Sequence, residues 1–193
     1  MRVVLASKSP RRKELLGKIF ESFEIISREV DEELPFGIHP CRGVELLAIR
    51  KGRTVAEELA PEALVISSDT LVELEGRALG KPRSCAEAYE MLSALSGRQH
   101  NVHTGVAVHF KGRVFSGVAT TAVCFKELNE EQILRYIDTG EPMDKAGAYG
   151  IQGKGGELVE GYEGDFDTVV GLSVSLTKRL IAEATGEGGD AND

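Results

Sequence analysis

The sequence predicts a mixed α/β fold, with a twisted central sheet flanked by helices. Three observations carry that prediction. Strand-like and helix-like segments alternate along most of the chain. Two long runs, "NVHTGVAVHF" and "RVFSGVATTAVCF", alternate apolar and polar residues on either side of Lys111-Gly112, which requires an antiparallel pair. No segment repeats, and 193 residues with 41% apolar and 28% charged content suit one globular core.

Each element has its own justification. Val3 to Ala6 reads as a short buried strand. Ser9 can cap the following helix, Pro10 suits its first position, and Leu15, Leu16, Ile19 and Phe20 form its apolar stripe. "FEIIS" (23–27) is a second strand, followed by a loop, "REVDEELPFGIHP", with an acidic cluster. From Gly43 to Ala60 the period is helical, with Val44, Leu47, Val55 and Leu59 apolar and Pro61 beyond the end. "ALVISSDTLVEL" (63–74) is a strand interrupted in its middle by Ser67, Ser68, Asp69 and Thr70, and "EGRALGKP" follows as a hairpin. Ser84 and Glu87 give a capping-box signature for a helix running through Leu95. After the two long strands, Asn129 and Gln132 open a helix that ends near Gly140. Residues 144–164, "DKAGAYGIQGKGGELVEGYEG", are too glycine-punctuated for a long regular element. "DTVVG" reads as a strand-like turn before a final amphipathic helix. The domain is expected over 1–184, with residues 185–193 a polar tail.

Composition excludes several function classes. With 23 basic and 31 acidic residues the net charge is −8, which argues against a binder of nucleic acid polymers. An acidic chain still holds a small polyanion if its cations converge. Cys41, Cys85 and Cys124 are scattered and odd in number, so neither a disulfide framework nor a zinc site is expected. A reduced, cytoplasmic setting is the simplest expectation, with no signal peptide and no membrane span.

Several residues stand out chemically. Arg11 and Arg12 fall in a first helical turn, where unpaired N–H groups already favour an anion. They are either solvated or the seat of a polyanion. Asp69 lies within an apolar strand pattern, where a buried carboxylate must be paired or metal-bound, unless it merely ends the strand. Glu32, in the acidic "DEE" run, is solvated unless it folds back towards Asp69; the two together could hold one Mg²⁺ alongside phosphate oxygens. Lys51 and Lys81, taken singly, read as surface lysines. "GRALGKP" has the wrong spacing for a P-loop, and "GIQGKGG" is not a dinucleotide fingerprint. His100 and His103 are three apart beside a strand, so they point to opposite faces and make a poor metal pair. No GxSxG nucleophile elbow is present.

Taken in order, "LASKSPRR", "SSDTLV", "LGKP", "MLSALSGRQHNVHTGVAV" and "YIDTGEPMDKAGAYGIQG" resemble the Maf (septum-formation inhibitor) family of nucleoside triphosphate pyrophosphatases, over residues 3–183. The resemblance implies a Maf/inosine triphosphatase-like fold with a cleft between two lobes. It implies hydrolysis of a nucleoside triphosphate to monophosphate and pyrophosphate with a divalent cation, Mg²⁺ or Mn²⁺, as house-cleaning of nucleotide pools. By that likeness Ser7, Arg11, Arg12, Glu32, Lys51, Lys81, Asp69 and Gln152 line the cleft, with Asp69 the proton acceptor. Arg11, Thr70 and Gln152 fall at positions tied to base choice, in the form that resembles the dTTP- and UTP-acting branch rather than the 7-methylguanosine triphosphate branch. A glutamine amide, both donor and acceptor, suits the O4 and N3–H edge of uracil or thymine. The alternatives are the same reaction on a modified base, or a non-catalytic nucleotide-binding regulator of cell division; a homodimer is compatible with either. The chain departs from the family pattern at Gly52, where alanine is usual, and at Ser67-Ser68, where Gly-Ala is usual. It departs again at Asp167-Thr168 and Ser173, where an asparagine-like residue and proline are usual.

Overall fold

The computed structural model describes residues 1–186, so the expected tail from residue 187 onward lies outside the described residues. One sheet contains β1 (Val3–Leu5), β2 (Glu24–Ile25), β3 (Leu64–Leu74), β4 (Arg77–Leu79), β5 (Gln99–Phe110), β6 (Arg113–Phe125) and β7 (Val159–Glu163). The helices are α1 (Pro10–Gly17), α2 (Pro40–Ala56), α3 (Cys85–Leu95), α4 (Glu130–Ile137), α5 (Phe166–Val170) and α6 (Val174–Thr185). The strand order is β2-β1-β3-β5-β6-β7, with β4 paired to the far end of β3. β1 runs parallel to β2 and β3, and the remaining pairs are antiparallel, so the sheet is mixed. The β5–β6 hairpin turns at Lys111 (φ 49°) and Gly112 (φ 70°), a two-residue turn whose left-handed backbone matches the strand twist.

Five elements differ from expectation. First, β3 is not interrupted: Asp69 pairs with Gly105 in an unbroken ladder. The polar run is tolerated because Ser67 Oγ donates to Ala48 O (2.7 Å) and Ser68 Oγ donates to Gly171 O (2.9 Å). Second, the glycine-punctuated stretch contains β7, which pairs with the edge of β6. Third, "DTVVG" is helical, because Asp165 caps α5, accepting from Asp167 N, Thr168 Oγ1 and Ser173 Oγ. Fourth, Ser84 caps α3, but the Glu87 carboxylate accepts from Arg83 N rather than closing the box. The reciprocal box belongs to α4, where Asn129 and Gln132 exchange two 2.9 Å bonds. Helix α2 also starts earlier than its apolar period suggests, at Pro40 behind a His39 cap.

The alternation along β3 decides where a cleft opens. Leu64 and Ile66 pack in one apolar cluster with Leu16 of α1 and Leu180 of α6. Val72 and Leu74, on the same face, pack in a second cluster with Leu92 of α3 and Ile133 of α4. Between the two clusters that face presents Ser68 and Thr70 instead of apolar side chains. Val65, Ser67 and Asp69 point to the other face, under α2. Gly105 lets α2 lie close there: a Cβ on it would come within 2.5 Å of Val44 O.

Candidate active site

The gap between the two clusters opens into a cleft of about 420 Å³. It runs along the edge of β3 left unpaired between Ile66, the last partner of β1, and Val72, the first partner of β4, so that Asp69 and Thr70 line it from the two faces of the strand. Helix α1 supplies Arg11 and Arg12, α2 supplies Lys51, β3 supplies Asp69 and Thr70, and the segment after β4 supplies Lys81. The opposite wall is the segment from Glu141 to Gly153, which brings Gln152.

Lys51 sits between two carboxylates. Its Nζ is 2.5 Å from Asp69 Oδ1 and 2.7 Å from Glu32 Oε1. The acidic loop therefore does fold back towards Asp69, and the ammonium joins them. The hydrogen bond from Lys51 holds the Glu32 carboxyl below its usual range, against the opposing effect of partial burial. The Asp69 side chain is 12% exposed, so its charge is paired but reachable from the cleft. Among the described residues, no three His, Cys, Asp or Glu side chains converge as a metal cage.

Arg12 is not a free surface cation. Its Nε donates to Gly171 O (3.0 Å), Nη1 to Ser7 Oγ (3.4 Å) and Nη2 to Thr70 Oγ1 (3.4 Å). Desolvation lowers its pKa, and the charge of Asp69 partly offsets that. Proton accounting fixes the polarity of Thr70. Thr104 Oγ1 donates to Thr168 O (2.7 Å), so Thr70 donates to Thr104 (2.9 Å) and accepts from Arg12. Thr70 is left with a lone pair, not a proton, for anything in the cleft.

The structure separates the remaining expected residues. Arg11, Lys81 and Gln152 line the cleft beside those already placed. Ser7 is buried behind Arg12, accepting from it and from Ser9 N (3.2 Å), while Ser9, read as a cap, lines the wall. His100 and His103 do diverge: His100 Nε2 bonds Tyr149 Oη (2.7 Å), whereas His103 bonds Glu73 and Thr120. Sequence reasoning did not single out Glu141, Asp144, Lys145 or Tyr149 in the wall. The signal was the glycine spacing of "DKAGAYGIQG", which marks close backbone approach but does not say to what.

The family described as Maf-like protein matches residues 2–184. A Moorella thermoacetica protein named dTTP/UTP pyrophosphatase is 51% identical over 183 residues, covering 94% of each chain. A Thermococcus kodakarensis protein of the same name is 47% identical over 178 residues, covering 92% of this chain and 94% of the relative. Among solved structures, the Staphylococcus aureus Ham1 protein is similar with a TM-score of 0.51 at 19% identity, over 97% of this chain and 100% of that one. That likeness is one of fold.

Proposed function

Because the chain belongs to the Maf family, we propose that it hydrolyses nucleoside triphosphates, dTTP and UTP foremost, to the monophosphate and pyrophosphate, and so cleans nucleotide pools. One observation carries the reading: in a protein of net charge −8, five cationic side chains, Arg11, Arg12, Lys51, Lys81 and Lys145, converge on the cleft that holds Asp69. A triphosphate is the ligand class that such a cluster neutralises.

In the proposed reaction, water attacks the α-phosphorus, the bond from that phosphorus to the α–β bridging oxygen breaks, and pyrophosphate leaves. Asp69 is placed to accept the proton of that water once Lys51 turns towards phosphate. Arg12, oriented by Gly171 O, Ser7 and Thr70, presents a fixed guanidinium to the phosphates. Gln152 offers a donor and an acceptor to a uracil or thymine edge, and Thr70 offers a lone pair. A divalent cation fits the donor set: two carboxylates, Glu32 and Asp69, suit a hard ion that takes its other ligands from water and phosphate. Bound there, it would add charge neutralisation at the phosphates.

The test is a panel of canonical and modified triphosphates with Mg²⁺ or Mn²⁺, assayed for released pyrophosphate. We expect the highest kcat/KM for dTTP and UTP. Binding without pyrophosphate from any member would overturn the proposal in favour of a regulator.

A further inference from the structure

We infer that Glu141 is a positioning residue for base selection, holding the segment Gly150–Gly155 so that Gln152 faces the cleft. The inference rests on the reading of Gln152 given above.

The segment from 144 to 158 has little regular structure to hold it. It contains 3₁₀ turns at Ala146–Ala148 and Lys154–Leu158, and Gln152 lies between them. Backbone N–H groups in such a stretch need specific acceptors. Glu141 provides two of them directly and a third through Tyr136. Its Oε1 accepts from Gly155 N (3.1 Å) and Tyr136 Oη (2.9 Å), and its Oε2 accepts from Lys154 N (2.9 Å). Tyr136 Oη in turn accepts from Gly150 N (3.1 Å). Three N–H groups flanking Gln152 thus end at one carboxylate, directly or through one hydroxyl.

The glycines record the same arrangement. A Cβ at Gly153 would lie 2.5 Å from both Glu141 carboxylate oxygens, and a Cβ at Gly150 would lie 2.6 Å from Lys145 Cε. The Lys145 ammonium closes the unit by donating to Glu141 O (3.0 Å) and Asp144 Oδ1 (2.6 Å). The ionised form of Glu141 suits the role. Burial works against it, but the Gly155 and Lys154 N–H groups, Tyr136 and Lys145 together hold its pKa below the usual carboxylate value. A carboxylate accepts at every lone pair; an amide in its place must turn an NH₂ towards one of these donors.

The test compares Glu141→Gln, Gln152→Ala and the double variant in the full chain. We measure kcat and KM for UTP and CTP and the thermal midpoint. Glu141→Gln should lower the UTP-over-CTP preference about tenfold, mainly through KM, the loss expected for one charge-assisted bond. Saturating kcat should stay within about twofold, because the Asp69 end of the cleft is untouched. In the double variant the preference should fall no further than in Gln152→Ala, since one residue acts through the other. Should Glu141→Gln not fold, Tyr136→Phe removes only the Gly150 link and should shift the preference in the same direction by less. A preference unchanged in the folded variants, or losses that simply multiply in the double variant, would overturn the inference alone. A wild-type chain that releases no pyrophosphate overturns the functional reading and this inference with it.

Discussion

Alanine at Gly52 should destabilise this protein, although alanine is the better helix residue. Gly52 lies inside α2, where replacing glycine by alanine stabilises by about 1 kcal/mol through backbone entropy. Here the added Cβ would sit 2.5 Å from His109 Cδ2, His109 Nε2 and Ser67 Oγ. None of these is a loose end. The Ser67 hydroxyl is fixed to Ala48 O, and the His109 ring is buried. Overpacking of this kind costs about 1–3 kcal/mol. A displaced Ser67 hydrogen bond adds about 1 kcal/mol. The net expectation for Gly52→Ala is a loss of about 1–3 kcal/mol, read as a lower urea midpoint at constant m. In a background carrying Ser67→Ala and His109→Ala, the same change should reverse sign and stabilise by about 1 kcal/mol. The effect should also reach the site, because Lys51 is the preceding residue and its ammonium lies 2.5 Å from Asp69. A Gly52→Ala protein as stable as the native one, with the triple variant showing no reversal, would refute the packing argument.

Three further outcomes are expected. Asp69→Asn should reduce pyrophosphate release by at least about a thousandfold while leaving the thermal midpoint within a few degrees; an active variant would remove Asp69 from the proposed chemistry. Burial pushes His100 and His109 down to about 4, so between the unfolded value near 6.5 and that pH the unfolded chain binds protons that the fold refuses. Stability should therefore be full above about pH 6.5 and fall steadily towards pH 4, on the order of 3 kcal/mol per histidine; urea midpoints flat across that range, or NMR showing either ring protonated at pH 5.5, would contradict this. Because Lys51 already matches Glu32 and Asp69, the cleft should hold Mn²⁺ weakly until a triphosphate draws the ammonium away. Titration with and without a non-hydrolysable UTP analogue should show a gain of at least about tenfold, and chelation should stop turnover; tight binding to the free protein would count against it.

Much of this molecule is legible in its sequence because local chemistry and tertiary structure agree. The β5–β6 hairpin is written in alternation around Lys111-Gly112, and α1 in Ser9, Pro10 and its leucines. The failures share a cause: acceptors and donors that arrive from far along the chain. Nothing near Ser67 and Ser68 announces that Ala48 and Gly171 will satisfy them, so the strand looked broken where it continues. Strand β7 has too few β-branched residues to stand out, and it exists because the edge of β6 needs a partner. At the site, the cations and Asp69 were visible as local conflicts with their surroundings. Glu141 was not, because a glutamate after Gly140 conflicts with nothing until the chain 13 residues on brings the N–H of Lys154 to it.

The paired arginines show how far charge alone misleads. In sequence they look like equals, repelling each other at a helix start. In the fold they are assigned different tasks. Arg12 spends its donors on a carbonyl and two hydroxyls, all neutral acceptors, so its orientation is fixed while its charge is not neutralised by direct contact. Arg11 lines the same cleft and makes no hydrogen bond or ion pair among the described residues. Lys51 and Lys145, by contrast, are each held against a carboxylate. The cleft therefore keeps two kinds of cation: Lys51 and Lys145, which in the proposed reaction exchange a carboxylate for a phosphate, and Arg11, Arg12 and Lys81, which form no ion pair among the described residues. An acidic protein can hold a polyanion on those terms, because the paired lysines limit repulsion in the empty site and the arginines supply the initial attraction.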